Sequence, residues 1–228
     1  MSAEITVLPE LKAYIDPLTP DEHDALERSI LAEGCRDALV LWGNILVDGH
    51  NRYGICQKHG LPFQTVQNTQ FESMEDVHLW MIDQHLGRRS VSDFQRGVLA
   101  LRKREIIAQR RATAATAVQQ ATQHDAADDP TQASQAALAS VPKVPDQALD
   151  TREALARAAR LSPAQVKHIE TIQEKAAPEL VAAIKNGELS LSTAAVLAKL
   201  PVAEQHTAAQ DGAQGLKEAA KRIRQPQK

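Results

Sequence analysis

The sequence lacks any long apolar run, and it has few residues that could form a disulfide framework or a metal site. No segment approaches the roughly 18 apolar residues that a membrane span requires, and the opening residues MSAEITVLPE contain no basic region followed by an apolar stretch. Two cysteines, Cys35 and Cys56, are present, and none of the eight histidines has the spacing of a metal-binding motif. We therefore expect a cytoplasmic protein without a membrane partner or a bound metal, in which both cysteines are core or half-buried thiols.

The net charge of −3 is an average over segments of opposite sign. Residues 1–85 contain 14 acidic residues against 5 Lys or Arg, residues 86–111 contain 2 against 8, and residues 217–228 contain 1 against 5. The overall charge argues weakly against nucleic acid as a partner, whereas the basic middle segment offers a place where DNA phosphates could bind. The alternative is that this segment forms a solvated helix face.

The first 120 residues have the pattern of a small mixed α/β domain that ends in a long helix. Ala38–Trp42 and Ile45–Asp48 are β-prone runs separated by Gly43 and Asn44, which predicts a β-hairpin. Further predicted elements are a helix over 51–59, a strand over 63–67, a helix to His85 capped by Ser73 with Asp76, and a helix through Arg111 capped by Ser92 with Gln95.

The composition changes at about residue 121 and again at residue 150. Residues 121–149 are rich in Ala, Gln and Asp, which predicts a disordered linker. Residues 150–200 have the pattern of several short helices, and residues 201–228 are polar and then basic, which predicts a frayed tail. The start signals are Asp150 with Glu153, Ser162 with Gln165, Pro178, and Ser190 or Ser192. The predicted class is α+β, with a mixed α/β amino-terminal domain followed by an all-α helix-turn-helix domain.

A candidate phosphate site lies between the second predicted strand and the helix that follows it. Gly49, His50, Asn51 and Arg52 stand where unpaired backbone N–H groups and the helix dipole favour an anion. Glycine permits close approach of a ligand, and an arginine can contact phosphate oxygens in a bidentate manner. The alternative is a tight turn that carries a surface arginine.

A candidate DNA-reading site lies in TREALARAARLSPAQVKHIETI, which fits a helix-turn-helix. Arg160 takes the turn position where glycine is commonest, so a left-handed conformation is expected there at a cost of about 1 kcal/mol. The alternative is a helical hairpin that packs on a neighbour. The residues expected to face DNA from the second helix and its cap are Ser162, Ala164, Gln165, Lys167, His168 and Thr171.

Two segments of the first 120 residues resemble motifs of the ParB/sulfiredoxin superfamily. VDGHNRYGIC is similar to its D-G-x-x-R-x-x-A/C turn, where members bind nucleotide phosphates, and MIDQHLGRRSVSDFQR is similar to a later ParB motif that completes a CTP pocket. The resemblance implies a site for CTP or ATP formed by Gly49, His50, Asn51, Arg52, Arg88 and Arg89. No counterpart of the ParB box with its Q-P-R core is present. His50 stands where sulfiredoxins have their catalytic cysteine, which excludes a thiolate mechanism at that position.

Residues 178–197 are similar to the helices that follow the helix-turn-helix in ParB proteins, with the pattern P-E-x-x-x-x-x-x-x-G-x-L-S-x-x-x-A-x-x-L. Two similar modules in the same order identify the chain as a ParB-like DNA-binding protein. The resemblance implies binding to double-stranded DNA as a homodimer, in association with the nucleoid or a plasmid. It implies a role in plasmid or mobile-element partition, maintenance or transcriptional control, with nucleotide binding at the GHNR turn as a switch.

Two other functions stay open at this point. Some members of the superfamily are nucleotide-dependent kinases or nucleases built on the same turn, for which Asp48 and His50 would be the catalytic candidates. We do not expect catalysis to be the main task, and any turnover would be that of a slow nucleoside triphosphatase. The third function is a protein–protein adaptor, which would be favoured if residues 150–200 failed to retard DNA even at low salt.

Overall fold

The computed structural model describes residues 4–88, 91–124 and 149–224. Its contacts divide the chain into two compact units, Met1–Asp83 and Gln84–Lys228. This division groups the long helix with the carboxy-terminal helices, whereas the sequence pattern placed it at the end of the amino-terminal domain. Most of the linker proposed over 121–149 lies outside the described residues.

The first unit is built on a small mixed sheet. Strands β1 (Leu39–Trp42) and β2 (Ile45–Asp48) form the antiparallel hairpin that the apolar runs predict, and β3 (Thr65–Gln67) pairs in parallel with β1 to give the order β2-β1-β3. Leu39 and Leu46 are fully buried, because one face of the hairpin packs into the core. The carboxyl end of β2 leads directly into a helix, which places the candidate phosphate turn at the edge of the sheet.

Four helices surround this sheet: α1 (Pro9–Lys12), α2 (Pro20–Glu33), α3 (His50–His59) and α4 (Met74–Leu86). Helix α2 begins with a reciprocal capping box between Thr19 and Glu22. Ser73 and Asp76 cap α4 in the way that their spacing predicts. The core of the unit comprises three clusters, centred on Val77, Ile55 and Leu39.

The second unit consists of helices in the part of it that the structure describes. They are α5 (Asp93–His124), α6 (Arg152–Ala159), α7 (Pro163–Lys175), α8 (Pro178–Lys185), α9 (Leu191–Leu197), α10 (Val202–Gln210) and α11 (Gly212–Arg224). Helix α5 packs against α6, α7 and α8. The fully buried core residues are Leu155, Ile169, Ile172, Leu180 and Leu197. A mixed α/β unit followed by an all-helical unit confirms the predicted α+β class.

The interpretation of residues 201–228 as a frayed tail was wrong for residues 202–224, which form α10 and α11. Ala208 on α10 and the residues Leu216 and Ala219, three apart on α11, are buried against neighbouring helices. Gln205 is 1 % exposed. Its Oε1 accepts a hydrogen bond from the backbone N–H of Ala177 at 2.8 Å, and its Nε2 donates to two backbone carbonyls at 2.9 Å.

Two other expectations need correction. The helix that starts near residue 150 is capped by Thr151, whose hydroxyl accepts from the N–H of Ala154, and not by Asp150. The carboxylate of Asp150 instead accepts from Arg111 on α5 at 3.0 Å. Helix α5 also continues to His124, beyond Arg111, because alanine and glutamine favour the helical backbone even without a core to bury.

Candidate functional site

The turn at the start of α3 has the backbone geometry that the sequence predicts for an anion site. Gly49 is the N-cap of α3 with φ 95° and ψ 21°, a left-handed conformation that favours glycine. A Cβ atom at this position would lie 2.5 Å from Leu39 Cδ2, so a side chain does not fit. The first turn of α3 contains no acidic residue, and Asn51 is exposed. The first N–H groups of a helix have no intrahelical acceptor, so they are available to an anion.

Arg52, the predicted phosphate contact, forms ion pairs inside the protein. Its Nη1 donates to Asp37 Oδ2 at 3.1 Å and its Nη2 donates to Asp48 Oδ2 at 3.0 Å. The Arg52 side chain is 19 % exposed. The guanidinium therefore connects the end of β2 and the residues before β1 to the first turn of α3. Two carboxylates offset its charge, which lowers the attraction of this turn for phosphate.

His50 follows the glycine and is half-buried. Burial lowers the pKa of its imidazole, against the opposing effect of Asp48, and its Nε2 is buried without a hydrogen-bond partner. The ring is therefore held in its neutral form over a wider pH range than an exposed histidine. Asp48, the other residue considered for catalysis, is ion-paired to Arg52.

The remaining two residues of the predicted nucleotide site lie after α4. Arg88 is exposed and belongs to the second unit, and its backbone N–H donates to the carbonyl of His85. Arg89 lies outside the described residues. The assignment of both to a nucleotide pocket stays a prediction.

Helices α6 and α7 are joined by a tight turn at residues 160–162. Arg160 has φ 55° and ψ 45°, and it is the non-glycine residue with a positive φ in the described part of the chain, as its position in the pattern predicts. The hydroxyl of Ser162 accepts from the N–H of Gln165 at 3.2 Å, and Gln165 Oε1 accepts from the N–H of Ser162 at 2.9 Å. Because this reciprocal capping box closes the first turn of α7, the two helices are separate elements and not one rod.

The structure divides the predicted DNA-facing residues into two groups. Ala164 and Lys167 are exposed and His168 is half-exposed, so their side chains are accessible on α7. The second group forms hydrogen bonds within the protein: Ser162 and Gln165 with each other, Gln165 Nε2 with Asp93 Oδ2 at 2.9 Å, and Thr171 Oγ1 with the carbonyl of Lys167 at 3.0 Å. The first group is thus the more available for contact with bases.

Helix α5 supports α7 through close packing and ion pairs. At Gly97, a Cβ atom would lie 2.2 Å from Ile169 Cδ1, so glycine lets the two helices approach. Glu170 of α7 accepts from Arg104 Nη1 at 3.4 Å and from Arg152 of α6 at 2.9 and 3.1 Å. These contacts fix the orientation of α7 within the second unit.

Both interpretations of the basic middle segment stay open, and three of its arginines form ion pairs within the second unit. Arg96 is ion-paired with Asp93, Arg104 with Glu170, and Arg111 with Asp150. Their charges are offset within the unit: Asp93 is on α5 itself, Glu170 is on α7, and Asp150 precedes α6. Part of the positive charge of this segment is therefore used in ion pairs within the folded unit.

One group of ligand-type side chains lies in the first unit, within the described residues. His23, Asp24 and Glu27 on α2 place one ligand atom each within 4.8 Å of the others. Hydrogen bonds from His59 and then Lys58 lower the pKa of the Glu27 carboxyl to about 2. Because Glu27 already has these two partners, the group is accounted for by ion pairing.

Sequence reasoning did not find the residues that hold the two sites in place. Asp37, Asp93 and Gly97 are far in sequence from the side chains that they contact. Helical or strand periodicity relates neighbouring residues only, so no local pattern indicates these pairs. The signal that was available for Gly97 is a glycine inside a strongly helical pattern, which often marks close packing.

No protein family profile and no curated protein sequence matches this chain. Several solved structures do match it. The chain is similar to a pNOB8-like ParB N-domain in its C2221 crystal form, with a TM-score of 0.52 and 16 % identity over 91 % of this chain and 78 % of that one. A second structure of the pNOB8-like ParB N-domain gives a TM-score of 0.50 and 15 % identity over 91 % of this chain and 73 % of that one.

No helix in the described residues is long and apolar enough to span a membrane. Both structural similarities extend over nine tenths of the chain and so include the mixed sheet and the helices that follow it. The chain therefore has the fold of ParB amino-terminal domains.

Proposed function

We propose that this chain is a partition-type DNA-binding protein that acts in plasmid or mobile-element partition, maintenance or transcriptional control. It would bind double-stranded DNA as a homodimer, in the cytoplasm and in association with the nucleoid or a plasmid. The observation that carries the proposal is the α6–α7 pair with its tight turn, present in a chain with a ParB-like fold. A fold shared at this identity supports the arrangement, and the DNA contacts are argued from the residues themselves.

Helix α7 is the element that we place in the major groove. Its amino-terminal half exposes Ala164 and Lys167 and partly exposes His168, and these side chains could reach base edges. Lys167 can donate to guanine O6 and N7 or to a phosphate, and the methyl group of Ala164 can contact a thymine methyl. Gln165 has a supporting role in this proposal, because its amide is held between the cap and Asp93.

Selection of duplexes from a random pool by the full-length protein tests the proposal, followed by fluorescence anisotropy on the enriched sequence. Lys167→Ala should weaken binding to this duplex roughly 5- to 150-fold, as the loss of about 1–3 kcal/mol implies. A base contact would leave the weak binding to a scrambled duplex unchanged, whereas a phosphate contact would weaken both and reduce the salt slope by about one.

Lys199→Ala is the matched control, because Lys199 is an exposed lysine that follows α9 in the same unit. This variant should bind both duplexes as the wild type does. If no sequence is enriched and the protein does not retard DNA at low salt, the groove-reading role is excluded. The α6–α7 pair would then be interpreted as a surface for a protein partner.

Nucleotide binding at the Gly49–Arg52 turn is a separate part of the proposal. The left-handed glycine, the absence of acidic residues in the first turn of α3 and the exposed Asn51 favour an anion there. The two carboxylates on Arg52 oppose it. Isothermal titration of CTP, ATP and GTP should therefore show weak heat for the wild type, none for Arg52→Ala and tighter binding for Asp37→Asn, which releases part of the guanidinium. Absence of heat in all three proteins would remove the nucleotide switch.

A further inference from the structure

The two cysteines of the chain lie next to each other in the first unit. Cys56 is on α3, is 1 % exposed and packs with Ile30 and Ile55. Cys35 lies in the connection between α2 and β1, is half-buried and packs against the same cluster. Both cysteines therefore belong to one side-chain cluster, between α3 and the connection that follows α2. Cysteines that pack in one cluster can form a disulfide when a movement of the backbone brings them to the required geometry.

The segment that carries Cys35 is suited to this displacement. Gly34 precedes it with φ 79°, and a Cβ atom at that glycine would meet nothing within 4 Å, so the connection after α2 is open on that side. The Cys35 Sγ–H group donates to the carbonyl of Asp37 at 3.6 Å. This weak hydrogen bond is replaced by water at low cost, because the connection is at the surface.

We propose that Cys35 and Cys56 form a reversible intramolecular disulfide when the protein meets a low-molecular-weight disulfide such as glutathione disulfide. This redox modification site is independent of the proposed DNA binding. Its position matters for the first unit, since the bond joins α3 to the connection that also contains Asp37, an ion-pair partner of Arg52.

The chemistry proceeds in two exchange steps. The Cys35 thiolate attacks one sulfur of glutathione disulfide, whose S–S bond breaks, and the first glutathione leaves and takes up a proton. Cys56 then loses its proton to solvent, and its thiolate attacks Cys35 Sγ, which forms the Cys35–Cys56 bond and releases the second glutathione. The two protein thiols are oxidised by two electrons in total, and glutathione disulfide is reduced by two.

Accessibility sets the order of these steps. Cys35 is reached first because it is half-buried, whereas Cys56 is enclosed by the core. Burial, and secondly the neighbouring Cys35 thiol, raise the pKa of the Cys56 thiol. The second step is therefore the slower one, and its rate should increase with pH as more thiolate is formed.

The test uses the full-length protein incubated with an excess of glutathione disulfide. The intact mass should fall by about 2 Da, since two hydrogens are lost, and neither cysteine should react with N-ethylmaleimide after denaturation. Dithiothreitol should restore both thiols. Cys56→Ser should instead retain glutathione on Cys35, and Cys35→Ser should remain unmodified because its single thiol is buried.

Thermal unfolding followed by tryptophan fluorescence gives a second measurement. Trp42 and Trp80 are the two tryptophans of the chain and both lie in the first unit, so the signal reports this unit within the whole protein. The disulfide should raise its Tm by roughly 10 °C, because it restricts the unfolded chain. The proposal is overturned if the wild type keeps two reactive thiols, if a glutathione adduct persists on it, or if the oxidised product is a covalent dimer.

Discussion

The contact between Gly97 and Ile169 provides a test of how α5 positions α7. In Gly97→Ala, the new Cβ would lie 2.2 Å from Ile169 Cδ1, whereas carbon atoms pack at about 3.5–4.0 Å. Ile169 is 0 % exposed, so its end is enclosed by the core. Overpacking of this kind costs about 1–3 kcal/mol, against which alanine contributes up to about 1 kcal/mol of helix propensity. The expected net loss of stability is therefore between about 0 and 3 kcal/mol.

A double-mutant cycle separates these two effects. Ile169→Val removes Cδ1 and by itself should cost about 0.5–1.5 kcal/mol through the space that it leaves. In the double variant, the atoms nearest to the new Cβ are Ile169 Cγ1 and Cγ2 at 3.3 Å, so most of the overlap is gone. The double variant should therefore be more stable than the sum of the single changes predicts, by about 1–2 kcal/mol.

Urea unfolding of the full-length variants, followed by far-ultraviolet circular dichroism, measures all four corners of the cycle. Gly54→Ala calibrates the helix-propensity gain, because Gly54 is inside α3 and a Cβ there meets nothing within 4 Å. That variant should be stabilised by up to about 1 kcal/mol. Additivity of Gly97→Ala and Ile169→Val within about 0.5 kcal/mol would refute the close helix contact.

Three further predictions concern single side chains. Gln205→Leu should lower the free energy of unfolding by about 2–4 kcal/mol, since it leaves buried backbone groups without partners, whereas Gln210→Leu on the exposed end of α10 should change it little. Arg160→Gly should raise the unfolding free energy by up to about 1 kcal/mol, as the strain at φ 55° is relieved and part of the gain is lost to unfolded-state entropy; a loss of stability would contradict a left-handed Arg160. The pKa of Glu27 is lowered from 4.5 to about 2 in the folded protein, so ionised Glu27 stabilises the first unit above pH 4.5. This stabilisation is lost as the pH falls through 2. Carboxyl NMR titration should place its midpoint near the lower value, and Glu27→Gln should remove this part of the acid sensitivity.

The sequence predicts those parts of the fold that depend on neighbouring residues. Local steric and hydrogen-bonding rules predict the bounds of strand β2 (Ile45–Asp48), the Ser162–Gln165 capping box and the left-handed Arg160. The structure contains all three. The N-cap of α6 was predicted one residue too early, at Asp150. Asp150 and Thr151 can each accept a hydrogen bond from an N–H group of the first turn, and the contact of Asp150 with Arg111 leaves this role to Thr151.

The helical hairpin at residues 202–224 was missed for a different reason. Its buried face consists largely of alanine, which packs closely, and the many polar and basic residues between the buried positions were interpreted as a tail. The role of Arg52 could not be deduced either, because an arginine at a helix start is equally suited to a phosphate or to carboxylates. The choice depends on Asp37, which only the folded chain brings to it.

The hydrogen bonds of Gln165 have a consequence for any test of the proposed DNA recognition by mutagenesis. Its side chain closes the first turn of α7 and also reaches Asp93, so any replacement there would alter the angle of the helix as well as its surface. Within the described residues, the side chains of Ala164, Lys167 and His168 do not form hydrogen bonds of this kind. If α7 contacts DNA as proposed, a library that randomises these three positions and retains Gln165 should change the selected sequences while the hydrogen bonds of the helix start are kept.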